Sequence, residues 1–457
     1  SAPPASPRNA VFPTRSEGGH AVKARVLVIC PTAWDERQLA ALPEEVRARY
    51  ELVFDEPRDE DVRWDLDVTA FVDERVRRWR GKLAGVFSSS DYPGVIAAAA
   101  IAAELGLPGP SPASVLCASH KYYSRLVQRA AAPENVPRFA LFDPSDESTW
   151  PPASAFPCFV KPVKGSFSLF VRRIDDHAAL RAFAASPALA EFRAYYVRLF
   201  DEFAARYARF EHGARAFLAE EPLAGAQVTL EGWVQGGSAH VLGLVDTTFH
   251  PGTQSFARFD YPSALPAPVQ ERIGRAACAV ALALGLDHTL FNAELVYSAA
   301  GGTAMAERIG LIEVNPRLCG QFGDLYEKVD GTNGFELALA LACGREAHVQ
   351  RGAGRFAAAA SLPLRLFGSA RVLRAPDASR LRATEAEHPG TLVWSECQEG
   401  DEFRVAPDVE DGHSVRYAVV NSGGSNRSDI QEKLAQTMQS LDFEFTPLGV
   451  PGRASPR

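Results

Sequence analysis

Residues 24–30 (ARVLVIC) form a short apolar run rich in Val, bounded by charged residues before and Pro31 after. Such a run is the signature of a strand buried on both faces, as in a parallel sheet. Residues 83–87 predict a second one. It leads through Ser88, Ser89, Ser90 and Asp91, a helix N-cap cluster, into an Ala-rich helix over 92–105. Gly106 stops that helix, and the Pro-rich stretch 107–112 leads out of it. This alternation predicts an α/β domain over 22–118, closed before a helix over 121–131.

From Phe156 the pattern changes. Phe159 and Val160 with Lys161 and Pro162 read as a strand end, followed by the small-residue turn 163–168 and a second strand over 169–174. A helical stretch then places Tyr196, Leu199, Phe200, Phe203, Tyr207 and Phe210 at intervals of three or four, on one helix face. That face is expected to be core or an interdomain surface, with a lid over substrate as the sharper alternative. Strands are expected over 216–219, 227–233, 239–246, 289–297 and 310–314, and helices over 268–284 and 331–342, the last closed by Gly344. Residues 345–445 alternate short strands and turns and end in a helix over 429–440.

Composition narrows the function. The chain has 457 residues, enough for about three domains. Lys and Arg number 48 against 56 Asp and Glu, a net charge of −8, which leaves no electrostatic footprint for nucleic acid or an anionic membrane. The longest apolar runs, 95–103 and 276–286, fall short of the roughly 20 residues that span a bilayer. Residues 1–21 are rich in Pro, Ser and Arg without an apolar stretch, and read as a disordered leader rather than a secretory signal. Seven scattered cysteines with no CxxC pattern read as reduced thiols of a cytoplasmic protein.

Three groups of residues carry candidate chemistry. Glu313 and Asn315 share one face of a strand, and Glu294 on the preceding strand reaches that face if the two pair. Three oxygen donors there suit Mg²⁺, and Arg317, fixed just after Pro316, would grip a phosphoryl or carboxylate group. The alternative from spacing alone is a polar, solvent-facing hairpin. Lys161 with the turn Lys164–Ser168 offers a point charge and backbone N–H groups to phosphates, although it is no GxxxxGK[ST] loop. Lys121, opening the helix after the first domain, is by itself a surface lysine.

Taken in order, Lys121, Lys161-Pro162 with its turn, Glu220-Glu221-Pro222-Leu223-Ala224-Gly225, Glu294 and Glu313-Val314-Asn315-Pro316-Arg317 resemble the ATP-grasp superfamily. Within it the chain looks most like carboxylate–amine ligases such as L-amino-acid ligases and carnosine-synthase-like enzymes. The resemblance runs over 84–345.

It implies an ATP-grasp fold, α/β with α+β lobes. The expected units are an N-terminal Rossmann-like domain (22–118), a small lobe with a helical insertion (119–215) and a large lobe with the metal site (216–345). A C-terminal α/β domain (346–445) and a tail (446–457) complete the chain.

The resemblance also implies cofactors ATP and Mg²⁺, with two ions, and Mn²⁺ as a substitute. Lys121 and Lys161 would contact the ATP phosphates, and Gly165, Ser166 and Ser168 would form the loop closing over them. Glu220, Glu221 and Leu223 would hold adenine, and Gln227 stands where a ribose-binding glutamate is common. Glu294, Glu313 and Asn315 would be the metal ligands. Arg317, with Lys161, would be catalytic, stabilising an acyl-phosphate and its tetrahedral successor.

Four departures stand out: Gln227 itself, Phe167 at a loop position often Gly, the long segment between loop and hinge, which reads as an insertion, and the long loop 298–309 between the two expected metal-site strands. His250, Arg258, Asp260 and Tyr261, in a polar segment, are substrate-contact candidates. The expected partners are small-molecule acids and amines, not nucleic acid or membrane, with the aromatic helix face as a candidate homodimer surface. Two other functions compete: an ATP-grasp enzyme activating bicarbonate or formate, and a non-catalytic nucleotide-binding regulator.

Overall fold

The computed structural model describes residues 22–166, 168–300, 307–405 and 414–448. Residues 1–21, 167, 301–306, 406–413 and 449–457, which include the expected leader, Phe167 and most of the expected tail, lie outside the described residues.

The first apolar runs form β1 (Ala24–Val28), β2 (Tyr50–Phe54) and β3 (Gly85–Phe87), a parallel sheet in the order β2-β1-β3. The Ala-rich helix is Gly94–Leu105, starting two residues late because Pro93 takes the cap position. Gly106 ends it in a left-handed conformation at φ 68°. The helix Lys121–Ala131 begins and ends where expected.

Next come β4 (Phe139–Phe142), β5 (Cys158–Pro162), β6 (Arg172–Ile174) and β7 (Phe217–Glu220), an antiparallel sheet in the order β4-β7-β5-β6. β6 is shorter than the strand expected over 169–174, because Ser168 and Phe170 adopt positive φ and turn the chain. Between β6 and β7 lie the helices His177–Ala184, Pro187–Tyr195 and Arg198–Tyr207. Leu199, Phe200 and Phe203 are fully buried, in one core with the Ala-rich helix Gly94–Leu105. The aromatic stripe is thus spent inside the chain, packed between the helix Gly94–Leu105 and the sheet β4-β7-β5-β6, and is not free to form a dimer surface. Phe210 lies beyond the helix end and stacks on Tyr123.

The remaining strands are β8 (Ala226–Gln235), β9 (Ser238–Phe249), β10 (Phe256–Tyr261), β11 (Thr289–Ser298), β12 (Arg308–Asn315), β13 (Ala358–Leu366), β14 (Ala370–Arg374), β15 (Thr391–Ser395), β16 (Glu402–Phe403), β17 (Val415–Gly424) and β18 (Glu444–Pro447). Eight of them form one antiparallel sheet, β12-β11-β8-β9-β10-β13-β17-β15. This sheet runs across the boundary expected at 345/346. β14, β16 and β18 make a small separate sheet.

Alternation along the strands gives the large sheet two unlike faces. Val228, Leu230, Ala293 and Leu295 pack with the helix Ala267–Ala283. The other face, with Val245, Phe259, Tyr261 and Leu290, is covered by the helices Gly323–Asp330 and Gly334–Ala342 and by the first domain.

Two expectations are corrected. The polar segment carrying Arg258, Asp260 and Tyr261 is a strand, β10, paired with β9 and β13. Gly331 does not open a helix over 331–342. At φ 86° it caps the helix Gly323–Asp330, and a separate helix starts at Gly334.

Candidate active site

Glu294 on β11 and Glu313 on β12 are direct cross-strand partners, and Asn292 and Asn315 are partners two residues away. The four side chains therefore share one sheet face, as expected for Glu294, Glu313 and Asn315. Asn315 Nδ2 donates to Glu313 Oε1 at 3.1 Å, and Gln227 Nε2 on β8 donates to Glu294 Oε2 at 3.1 Å. Burial, and then the facing Glu313 charge, push the Glu294 carboxyl up. Burial works against Glu313 as well, but Lys121 and Lys161 outweigh it and hold that carboxyl below its usual range.

Lys121 joins this pair to the turn after β5. Its Nζ lies 3.1 Å from Glu313 Oε2 and donates to the Gly165 carbonyl at 2.9 Å, while its backbone N–H donates to Val163 O at 2.7 Å. The position follows from the helix Lys121–Ala131, which starts against that turn. One turn on, Arg125 is buried and binds Glu220 through Nε at 2.6 Å and Nη2 at 3.0 Å. Lys161, at the end of β5, reaches the same Glu220 at 2.6 Å. Burial pulls the Lys161 ammonium down to about 8, against the Glu220 charge that supports it. Glu220 itself is penalised by burial, yet Arg125 and Lys161 bring it down to about 2.

Glu220 is thus the centre of a buried ion triad, and the next residue presents itself differently. Glu221 is less buried and pairs with Arg138 at 2.7 Å and with Arg308. Leu223 packs over Gly310 on β12.

A third convergence centres on Asp91. Its Oδ1 accepts from Arg317 Nε at 3.0 Å, and its Oδ2 accepts from Lys164 Nζ at 3.2 Å and from the Ser166 hydroxyl. Tyr196, just before the helix Arg198–Tyr207, donates its hydroxyl to Ser166 Oγ at 3.1 Å. Lys121, Lys164, Gly165, Glu313, Asn315 and Asp91 all line one pocket. Ser168 lies beyond it, exposed at positive φ.

The weaker substrate candidates are not brought to this cluster. Arg258 and Asp260 pair with each other at 2.9 Å, and in register Asp260 stands opposite Asp246 and Ala360, on the face away from Glu294. Tyr261 points to the site side but is sealed there against Tyr326 and bonded to Asp330. His250 packs edge-on against Phe367 in a connection after β9.

Sequence reasoning missed Asp91 as anything beyond a helix cap, and missed Arg125 and Glu231. Arg125 carried a usable signal, since it follows Lys121 by one helical turn on the same face. Glu231, two residues from Thr229 on β8, is fully buried on the site face, and its Oε1 accepts the Cys319 N–H. Burial pushes it up to about 7.

The donor set fits a hard divalent cation. Two opposed carboxylates and an amide could offer oxygen ligands, and the electrostatic strain on Glu294 is what a cation would relieve. Among the described residues no three His, Cys, Asp or Glu side chains are grouped to hold a metal ion, so phosphate oxygens and water would complete the shell. All seven cysteines are free, and no helix among the described residues is long and apolar enough to cross a membrane.

Residues 154–324 match the family model described as ATP-grasp domain. No curated protein matches the sequence. Among solved structures, the L-amino acid ligase from Bacillus licheniformis superposes with a TM-score of 0.68 at 16% identity, covering 93% of this chain and 99% of that one. Phosphoribosylglycinamide synthetase from Anaerococcus prevotii gives 0.61 at 12% identity, over 93% and 100%. A biotin carboxylase–beta-gamma-ATP complex from Campylobacter jejuni gives 0.63 at 12%, over 93% and 92%. Residues 154–324 are thus similar to the ATP-grasp domain family, and the chain as a whole shares the fold of these solved structures.

Proposed function

We propose that the protein is a cytoplasmic, ADP-forming ligase that joins the carboxylate of an amino acid or related acid to an amine. The observation that carries this reading is the meeting of Glu294, Glu313 and Asn315 with Lys121 and Lys161 on one sheet edge, beside Lys164 and Arg317.

In the first step a carboxylate oxygen of the acid attacks the γ-phosphorus of ATP. The bond from that phosphorus to the β–γ bridging oxygen breaks, giving an acyl-phosphate and ADP. In the second step the amine nitrogen attacks the acyl carbon, the bond to phosphate breaks, and the nitrogen gives up a proton.

Lys121 and Lys161 would hold the ATP phosphates under the segment of Gly165, Ser166 and Ser168, and Arg317 would bind the oxygens on which charge builds. Glu221 and Leu223, on the connection after Glu220, would flank adenine, with Gln227 toward ribose. Glu220 keeps Lys161 charged and in place. Mg²⁺, held by Glu294, Glu313 and Asn315, would neutralise phosphate charge. No covalent protein nucleophile is required; positioning and electrostatics suffice. In this reading 22–118 is a leading α/β domain, 119–215 and 216–345 are the clamp, and 346–445 completes the substrate side.

The test is ADP formation with Mg²⁺ over a panel of acids and amines, with mass spectrometry of the products. One acid–amine pair should stimulate ADP release and yield the amide. Glu313→Gln should lower kcat by about a hundredfold or more, the scale of losing electrostatic stabilisation at a reacting centre. Stimulation by bicarbonate or formate with no amide product would overturn the amide-forming reading. Nucleotide binding without any turnover would point to a regulator.

A further inference from the structure

Two of the groups assigned above to phosphate and acyl transfer, Arg317 and Ser166, end together with the neighbouring Lys164 on one carboxylate that this assignment leaves without a role. Asp91 takes Arg317 on one oxygen, at 3.0 Å, and Lys164 and Ser166 on the other, Lys164 at 3.2 Å. The donors come from distant stretches: the β5–β6 turn supplies Lys164 and Ser166, and the segment after β12 supplies Arg317. Asp91 comes from neither of these stretches but from the first domain, in the loop between β3 and the helix Gly94–Leu105.

Asp91 is itself held rigidly. In the loop before it, Ser88 Oγ donates to Ile29 O at 2.7 Å and accepts the Ser90 N–H at 3.1 Å. Gly94 follows at so close an approach that a Cβ there would meet Ser88 Oγ at 2.4 Å. Lys164 is steadied from the same side by the Tyr92 ring, 4.7 Å from Nζ. Burial disfavours a charge on Asp91, but Lys164, Arg317 and the Ser166 hydroxyl outweigh it and keep the carboxylate ionised. Without that charge, a guanidinium and an ammonium brought together out of water would repel, and each would settle elsewhere.

We propose that Asp91 is a positioning residue that locks Arg317 and Lys164 to one another, so that the N-terminal domain sets the geometry of the group-transfer site. The proposal rests on the ligase reading for its kinetic consequence but not for its structural one. Asp91 touches no reacting atom in this scheme; it acts through the two cations.

The experiment has two arms. In the first, with the acid–amine pair found active, Asp91→Asn should lower kcat about thirtyfold or more while the KM for ATP stays within about threefold, because the loss falls on the transition state. Asp91→Glu, which restores the charge, should recover kcat to within about fivefold of wild type. The double variant Asp91→Asn, Lys164→Met should fall no further than the worse single variant, since the two act as a unit. A D91N enzyme with kcat within about threefold of wild type, or penalties that multiply in the double variant, would overturn the proposal. A loss merely of fold would lower thermal stability and would not be rescued selectively in kcat by D91E.

The second arm needs no turnover. Lys164 in the full chain without substrates is labelled with an amine-reactive ester and quantified by peptide mass spectrometry. Releasing Nζ from the carboxylate should raise its labelling rate about tenfold in D91N, because the unpaired amine is freer and more often neutral. An unchanged rate overturns the proposal even in a protein that turns over no acid, a result that would by itself defeat only the ligase reading.

Discussion

Glu220 keeps a negative charge inside the protein because Arg125 and Lys161 close on its two oxygens. Its carboxyl is brought down to about 2, against an ordinary value of 4.5. A depressed acid stabilises the fold while it is ionised in both states, so its contribution is complete above pH 4.5 and drains away as pH falls toward 2. Glu220→Gln removes that dependence and leaves two buried cations short of a partner, at a cost of about 3 kcal/mol. Thermal melts from pH 2 to 7 should therefore show a lower Tm for E220Q at neutral pH and a shallower fall below about pH 4.5. Parallel wild-type and variant curves would mean that Glu220 titrates as in the unfolded chain. The residue was legible as part of a motif. Its partners were not, because Arg125 stands 95 positions away and nothing local reports that contact.

At the scale of elements, apolar runs and caps reported well where one force dominated. The helix Lys121–Ala131 was readable to the residue, and β11 and β12 were readable as strands; their pairing, left conditional in the sequence, is what sets Glu294 and Glu313 face to face. β10 was hidden because Arg258 and Asp260 give it a polar look; they neutralise each other at 2.9 Å, and the strand's other face carries Phe259 and Tyr261 into the core.

Gly331 misled for a different reason, since a glycine beside an apolar helix can sit at either end of it. Its φ of 86° settles the matter, and a Cβ there would also meet Ala353 at 3.2 Å. Gly331→Ala should destabilise the protein by about 1–2 kcal/mol, from left-handed strain plus the close contact. Denaturant unfolding measures this, and kcat should be unchanged, because the cap lies on the far end of a helix from Arg317. Equal stability of the two proteins would show that the connection between the helices Gly323–Asp330 and Gly334–Ala342 can relax.

Across the whole molecule, the first domain, the segment carrying Arg317 and the last strands of the large sheet meet at Trp34. Its indole N–H donates to the Gly320 carbonyl at 2.9 Å, three residues past Arg317, and its ring stacks on Trp394 of β15 at 5.4 Å. Around it, Gln38 binds Asp324 at 3.0 Å, and Asn421 of β17 binds the same carboxylate at 2.6 Å. Together with Asp91, these contacts make the first domain a wall of the site rather than an appendage, and no spacing rule could have joined residue 34 to residue 394. Trp34, 2% exposed, separates the two ways this junction could matter. Trp34→Phe keeps a stacking ring and loses one hydrogen bond, which should cost about 1 kcal/mol. Trp34→Ala opens a large cavity at a cost of about 3–5 kcal/mol. If the junction also steadies Arg317, W34A should lower kcat at temperatures where it remains folded, and W34F should lower it less. A W34A protein that melts early but, while folded, turns over like wild type would confine Trp34 to stability and leave the geometry of Arg317 to Asp91.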